Sequence, residues 1–335
     1  RLIASGTMPY DINVMFATGL HRTVTETEQD SILTPFINQR VKTFNHHPKD
    51  LSGFLKLGET DSGIPIELNR KLVETDHVIL IGGIGFHYFA GFTGGRKLIC
   101  PGLASKRTIT GTHGLAFDSV NLNRAEGVGP GLLESNPVNE AFWEIVEKIS
   151  PSFAFNTIVN DSGIVTDLVC GHWRNSHKEA CRKYGEMHVQ PIPDKRELVI
   201  VSCGGSPHDL TMVQSHKAIE MASNACLEGG TIIVLAECPD GTGSPEFSKW
   251  FDYGTSSKLA RRLAEKYAVG GQTAWSLLNK SERFNINIVT KLDAKMTSKM
   301  GLRKFRDFRE ALSMTTPSTN GYILPYGAKF LPALN

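Results

Sequence analysis

Short runs of β-branched and aliphatic residues alternate with longer amphipathic stretches along the whole chain, and this alternation constrains the fold more than any other feature. The runs Val78-Ile79-Leu80-Ile81 and Thr231-Ile232-Ile233-Val234-Leu235-Ala236 lack the polar alternate positions of a half-exposed strand, as expected of strands covered on both faces. Strands are predicted over residues 13–18, 77–82, 198–203, 231–236, 286–290 and 321–325. Helices are predicted over 26–38, 64–75, 137–149, 177–185, 209–226, 256–267 and 302–314. Such alternation predicts an α/β protein with largely parallel sheets. Residues 189–196, Val-Gln-Pro-Ile-Pro-Asp-Lys-Arg, set two prolines and a charge cluster before a fresh strand, a composition that suits a linker. The expectation is two α/β domains, 1–192 and 193–315, with a C-terminal segment 316–335 that returns to the first domain.

At 335 residues the chain is long enough for two cores. Its 36 Lys and Arg against 34 Asp and Glu give a net charge of +2, and no basic run stands out. Neither a nucleic acid nor a membrane surface is expected as a partner, since both favour a clustered basic face. No stretch approaches the roughly 18 consecutive apolar residues of a membrane span. The first twenty residues lack the charged, apolar and small-residue order of a signal peptide, and with no initiator Met a segment upstream of Arg1 is expected. The six cysteines, Cys100, Cys170, Cys181, Cys203, Cys226 and Cys238, form no CxxC pair. They read as reduced thiols, with the cytoplasm as the expected compartment.

Three segments set polar residues where a strand of an open α/β sheet would lead into a helix, the usual place for a ligand. In the first, a strand runs into Gly19, His21 and Arg22 and then into Thr25-x-x-Glu28, a capping box that starts a helix. In the second, Gly82 and Gly83 follow a strand and lead to His87 and then to Gly94-Gly95-Arg96-Lys97. Glycines allow close backbone approach to a ligand, and successive N–H groups can cradle a phosphate. Lys97 precedes apolar Leu98, Ile99 and Cys100, and desolvation there makes an amine a better nucleophile. The third segment holds His113 between small residues, sterically open as a metal ligand or equally a hydrogen-bonded turn residue. No second ligand stands three or four residues away, so a metal held by protein side chains alone is hard to build.

Together these segments resemble the nickel-dependent lactate racemase family. The resemblance rests on Ala17–Arg22 (ATGLHR), His87–Lys97 (HYFAGFTGGRK) and His113, at matching intervals, with further likeness in Gly204–Ala218, Leu133–Phe142 and the terminal LPYGAKFLP. It runs from near Arg1 to near Pro332. It implies that Lys97 is joined through a thioamide to a nickel-pincer nucleotide, a nicotinate-derived mononucleotide with two sulfurs, and that Gly94, Gly95 and Arg96 belong to the same cofactor-binding turn. It also implies that His113 completes the coordination of nickel. A soft, planar S–C–S donor set with one imidazole suits tetragonal Ni(II), and explains why a single protein histidine suffices.

The implied activity is racemisation or epimerisation of a 2-hydroxy acid, with proton-coupled hydride transfer to the cofactor and a transient 2-keto acid. Removing the Cα hydrogen as a proton would place a second negative charge beside the carboxylate, and hydride transfer avoids this. The hydroxyl proton needs a base of near-neutral pKa, and two enantiomers call for two, roles that the resemblance assigns to His21 and His87. Gln214 and Lys217 are implied as substrate-binding residues from the second domain, Lys217 as the carboxylate partner, with the active site in the cleft between the domains. The expected partners are the small 2-hydroxy acid and the proteins that synthesise the cofactor.

Two features depart from the family pattern. Its upstream aspartate–arginine motif has no equivalent from Arg1 onward, and Val213 stands before Gln214 where lactate enzymes tend to have tyrosine. A larger or more polar 2-hydroxy acid is therefore an alternative substrate. A non-catalytic carrier of the cofactor would need Lys97 and His113 but has no use for His21 and His87. His208 is a lesser candidate for substrate contact, and His46, His47, His77, His172, His177, His188 and His216 read as surface or structural residues.

Overall fold

The computed structural model describes residues 2–160, 163–315 and 320–335. The chain forms two compact units. The first comprises Arg1–Ile84, Thr93–His113 and Val138–Ala180, and the second Gly85–Phe92, Gly114–Pro137 and Cys181–Asn335.

In the first unit, strands β1 (Asn13–Phe16) and β2 (Lys42–Asn45) form a parallel pair. Strand β3 (Ile79–Gly83) runs parallel to β4 (Phe153–Val159), which pairs on its other side with antiparallel β5 (Val165–Gly171). Helix α1 (Glu26–Leu33) opens with the capping box expected from the sequence: the Thr25 side chain accepts from the Glu28 N–H, and the Glu28 carboxylate from the Thr25 N–H. The predicted helix over 26–38 is broken at Thr34, which has φ +64° and precedes Pro35. A residue before proline is disfavoured in the α region, so the turn Pro35–Asn38 starts anew. Helices α2 (Lys106–Gly114), α3 (Pro137–Glu147) and α4 (Trp173–His188) follow.

The predicted helix over 64–75 is mostly strand. Pro65–Asn69 pairs antiparallel with Phe54–Glu59, and only Arg70–Val73 is helical. Ile66 and Leu68 are fully buried two positions apart, a strand period that outweighs the helical spacing to Leu72. Glu67 between them is also buried, ion-paired to Arg107 at 2.8 Å and accepting from the Ser105 hydroxyl.

In the second unit, the predicted linker is structured: β6 (Val189–Ile192) pairs in parallel with the last strand of the chain. The main sheet holds β7 (Arg196–Ser202), β8 (Cys226–Leu235), β9 (Asn285–Val289), β10 (Arg303–Phe305) and β11 (Gly321–Leu324), in the order β10-β9-β8-β7-β11 and all parallel. Strand β12 (Leu331–Leu334) is the partner of β6. These last two strands lie within the segment 316–335, of which 316–319 are outside the described residues. Helices α5 (Met212–Ala225), α6 (Ser256–Glu265) and α7 (Val269–Arg283) supply side chains to the core with Val199, Val201, Ile232, Val234, Ile286 and Ile288. The predicted helix over 302–314 divides into strand β10 and helix α8 (Phe308–Ser313), which caps on Asp307.

Glu220 on α5 is buried among cations. Arg124 pairs with it at 2.7 Å, Lys280 on α7 pairs with it more closely, and His216 lies 4.0 Å away. Burial pushes this carboxyl up, but Arg124 and Lys280, together with His216, outweigh that and hold it well below the usual range. Removing one member leaves an uncompensated buried charge. Lys280→Met is therefore expected to cost about 3 kcal/mol, read as a fall in the urea midpoint, and an unchanged midpoint would show that the cluster adds nothing to stability.

Candidate functional site

In the first unit the site begins with the turn that follows Thr93. Gly94 has φ +72° and Gly95 φ +48°. A Cβ on Gly94 would come within 2.9 Å of the Gly83 carbonyl oxygen, and one on Gly95 within 2.3 Å of the His177 ring. The close approach these glycines permit is thus to the protein's own interior. Arg96 points inward and is fully buried; its Nε donates to Asn139 Oδ1 at 2.7 Å. His177 Nε2 stands 3.0 Å from both Arg96 Nη1 and the Thr93 carbonyl oxygen. Burial, then the Arg96 charge, hold the His177 ring neutral with its pKa near 3.

Lys97 is half-buried in a 3-10 turn, Gly95–Leu98. Its Nζ lies 5.9 Å from the centre of the Phe142 ring on α3. The His113 ring, near the end of α2, lies 5.9 Å from the same ring centre. His113 is buried and neutral, its pKa pushed down to about 3 by burial and then by the charges of Lys97 and His21. The Thr112 hydroxyl donates to the Thr108 carbonyl and stands 3.4 Å from His113 Nδ1, while the His113 ring also donates to the Ile109 carbonyl. A proton on Nδ1 satisfies this arrangement and leaves the lone pair on Nε2.

His21 is exposed in the turn after β1, its N–H donating to the Thr18 carbonyl. In the same turn the Gly19 N–H donates to the Gly102 carbonyl at 2.9 Å, and the Gly102 N–H donates to the Lys97 carbonyl at 2.9 Å. Two backbone bonds therefore tie the His21 turn to the Lys97 turn. The first unit brings together His21, Lys97 and His113.

His87, Gln214 and Lys217 belong to the second unit. His87 is half-buried between two aromatic rings, stacked on Tyr88 at 5.4 Å and edge-on to Phe89 at 4.5 Å. Its Nδ1 accepts from the Ala90 N–H at 3.2 Å. In the neutral ring that bond sets the proton on Nε2, so accepting a proton at Nε2 requires releasing Ala90. Tyr88 is buried, its hydroxyl 2.9 Å from Thr273 Oγ1, and packs edge-on against His216 at 5.0 Å. Burial, then Lys280, push the His216 pKa down to about 3, and its Nδ1 has no hydrogen-bond partner.

Gln214 and Lys217 stand in the first turn and a half of α5, which is capped by Thr211. Lys217 Nζ donates to Gln214 Oε1 at 2.8 Å. Its pKa is lowered by burial, and no described carboxylate forms an ion pair with it. Of the histidines expected to be surface or structural residues, His46, His177 and His216 are interior, which leaves them the structural arm of that expectation. His177 and His216 carry no local sequence signal, because their partners Arg96 and Tyr88 are distant in the chain. Among the described residues no group of three or more His, Cys, Asp and Glu side chains is placed to hold a metal ion.

Residues 1–125 match the lactate racemase N-terminal domain and residues 192–321 the lactate racemase C-terminal domain. The lactate racemase of Thermoanaerobacterium thermosaccharolyticum is 31% identical over 244 residues, 72% of this chain and 55% of that protein. That of Lactiplantibacillus plantarum is 30% identical over 236 residues, 70% of this chain and 54% of that protein. The chain thus spans about half the length of the curated relatives it matches. The solved lactate racemase apoprotein from T. thermosaccharolyticum superposes with a TM-score of 0.88 at 26% identity, over 96% of this chain and 78% of that one. A Thermotoga maritima protein shares the fold, with a TM-score of 0.74 at 21% identity over 100% of this chain and 88% of that one.

Two measurements test this description. Gly95→Ala must force a Cβ against the His177 ring in a left-handed backbone, and is expected to cost about 3 kcal/mol in urea unfolding; a variant of wild-type stability would disprove the close approach. His177 and His216 have folded pKa values near 3, below the ordinary 6.5, so protonation favours the unfolded chain. Their contribution is complete above pH 6.5 and lost as the pH falls from 6.5 towards 3, by about 1.4 kcal/mol per pH unit for each ring. A urea midpoint that stays constant from pH 7 to 5 would contradict it.

Proposed function

The chain belongs to the lactate racemase family, and we propose that it is a racemase or epimerase of a 2-hydroxy acid that works with a nickel-pincer nucleotide. One observation carries this reading: Lys97 and His113 flank the same Phe142 ring, with the charge of His21 acting on the same cluster.

The donor set fits that cofactor. A single neutral imidazole with its lone pair on Nε2 offers one metal ligand, and no set of three protein ligands is formed among the described residues. A metal here needs its other donors from a non-protein group, which a tethered two-sulfur nucleotide provides. Lys97 would carry the covalent attachment and His113 would ligate nickel. When bound, the cofactor supplies an electron-poor ring able to accept hydride from the substrate Cα.

The remaining steps fall to the protein's own side chains. Lys217 neutralises the substrate carboxylate, with Gln214 steadying its Nζ. His21 takes the hydroxyl proton of one enantiomer and His87 that of the other, and each returns it when the hydroxyl re-forms. Arg96, wholly inside, does not reach the substrate and acts by fixing the turn that holds Lys97.

The test is protein made together with the cofactor-synthesis proteins and offered single enantiomers of a panel of 2-hydroxy acids, followed by chiral chromatography. Interconversion is expected, with a covalent mass increase that Lys97→Ala abolishes and nickel that His113→Ala loses. His21→Ala or His87→Ala should retain nickel while turnover falls by about 10²–10⁴-fold. Folded, nickel-loaded protein that interconverts none of the panel would overturn the reading.

A further inference from the structure

In the second unit, helices α5 and α7 and the end of a hairpin enclose a cavity of about 240 Å³. Ser276, Asn279 and Lys280 of α7 line it, spaced so that they share one helix face, as do Glu220 and Asn224 of α5. The hairpin pairs Phe117-Asp118 with Asn123-Arg124 and contributes its last two residues, and Lys195 comes from just before β7. The cavity lies at the other end of α5 from Gln214 and Lys217. Those two residues follow β7 at the start of the helix, whereas Lys195 precedes β7. Asn224 stands seven residues beyond Lys217, about 10 Å further along the helix axis.

The acceptors around this cavity are already committed. Glu220 is the one carboxylate among its described lining residues, and both of its oxygens are taken: Oε1 accepts from Arg124 at 2.7 Å and Oε2 from Lys280. The Ser276 hydroxyl accepts from Lys280 Nζ at 3.0 Å, and Asn123 Oδ1 accepts from the Arg124 backbone N–H at 2.8 Å. The donors are in surplus. Arg124 gives one of its five N–H groups to Glu220, and among the described residues no other acceptor takes from its guanidinium. The Asn279 amide has no hydrogen-bond partner among the described residues. No described carboxylate pairs with Lys195, because Asp194 is held by Arg196 at 2.8 Å and Glu228 by Arg283. Burial lowers the Lys280 pKa to about 8 against the pull of Glu220, so this ammonium is still charged at neutral pH. Arg124, Lys195 and Lys280 therefore face a single carboxylate that has no oxygen left to offer.

We propose that this cavity binds a phosphate group, held by the uncommitted N–H groups of Arg124, by Lys195 and by the Asn279 amide, with the charge of Lys280 adding to the attraction. A phosphate dianion is rich in acceptors and matches a lining rich in donors, and the planar fork of an arginine fits two of its oxygens at once. The volume falls below the roughly 300 Å³ at which sites for drug-sized ligands begin, which suits a small oxyanion and not a dinucleotide. Phosphate binding here is independent of the racemase reading, since none of these residues has a part in that chemistry.

The experiment is calorimetric titration of the full chain with inorganic phosphate at constant ionic strength. One site with a Kd of about 1 mM or tighter is expected, with no such heat from sodium chloride. Lys195→Met should weaken phosphate binding by ~10-fold or more, as for loss of a charge-assisted hydrogen bond, and Asn279→Leu by ~5-fold. Lys195→Arg, which keeps the charge, should stay within ~3-fold of wild type. The urea midpoint of each variant without phosphate should match wild type, because neither side chain has a partner to lose. Lys217→Met separates the cavity from the start of α5, and should leave phosphate affinity unchanged. Glycerol 1-phosphate in place of phosphate distinguishes the source of the group: tighter binding assigns the cavity to a phosphorylated small molecule, weaker binding to the free ion. No binding in the millimolar range, or an affinity that survives Lys195→Met and Asn279→Leu but is lost in Lys217→Met, would overturn the site.

Discussion

The close approach of Gly95 to the imidazole of His177 is the contact on which the first unit's chemistry depends. With no Cβ at position 95, the backbone turns in a left-handed conformation directly against a buried ring. That turn sends Arg96 inward, where Asn139 and His177 take up its guanidinium, and leaves Lys97 half-buried on the opposite side. A lysine on a flexible four-carbon stem would otherwise sample many positions. Here its root is fixed by a turn that cannot shift without expelling a buried arginine, and its head lies near Phe142, which also faces the His113 ring. The same principle holds His113 itself: helix α2 supplies Thr112 and Ile109 as partners for the ring, so one nitrogen is committed and the other carries the lone pair.

Much of this was legible in the chain, and what was not has identifiable causes. All six predicted strands are present, but of the two runs expected to be covered on both faces that cover holds only for Ile232, Ile233 and Val234; in β3 Leu80 is buried while Ile79 and Ile81 are exposed, so that aliphatic run marks a strand without marking two buried faces. The capping box at Thr25 and Glu28 is equally local, and its two hydrogen bonds form between residues three apart. The helix over 64–75 failed because Ile64, Ile66, Leu68 and Leu72 satisfy both periods in part, and pairing with Phe54–Glu59 decided for the strand. Helix α7 escaped notice because Gly270 and Gly271 stand in its first turn. Gly271 is there because a Cβ would strike the Trp250 ring at 2.5 Å, a tertiary reason invisible in a local window. The stretch 189–196 looked like a linker because of its prolines, yet Pro191 sits in a strand paired on one side only, where its missing N–H costs nothing.

The site residues show the same division. His21 stands out in sequence by its place between a strand and a capped helix, Lys97 by the glycine pair before it and the apolar run after it, and His113 by its small neighbours; the fold gathers all three in one unit. Their supports do not stand out. His177, Asn139 and Phe142 come from segments forty or more residues downstream of Lys97, and no spacing rule connects them to it. Supporting residues of this kind are recognisable only after folding, since their role is to be the surroundings of another side chain.

The distribution of these residues between the two units has a chemical consequence. The implied tether, metal ligand and first base all belong to the first unit, and the second base and the carboxylate-binding pair to the second. Groups that must hold a covalently attached cofactor through many turnovers gain from a single rigid frame, because each angstrom of relative drift would loosen both the tether and the metal. Groups that bind and release the substrate face the opposite demand, since they must engage it and then let it go. In the second unit these residues sit on a hairpin and a helix start, where His87 Nδ1 accepts from the Ala90 N–H and Lys217 Nζ donates to Gln214, hydrogen bonds that a substrate could replace. Within the first unit the buried His113 and the half-buried Lys97 suit the first demand, whereas His21, exposed in its turn, suits the second.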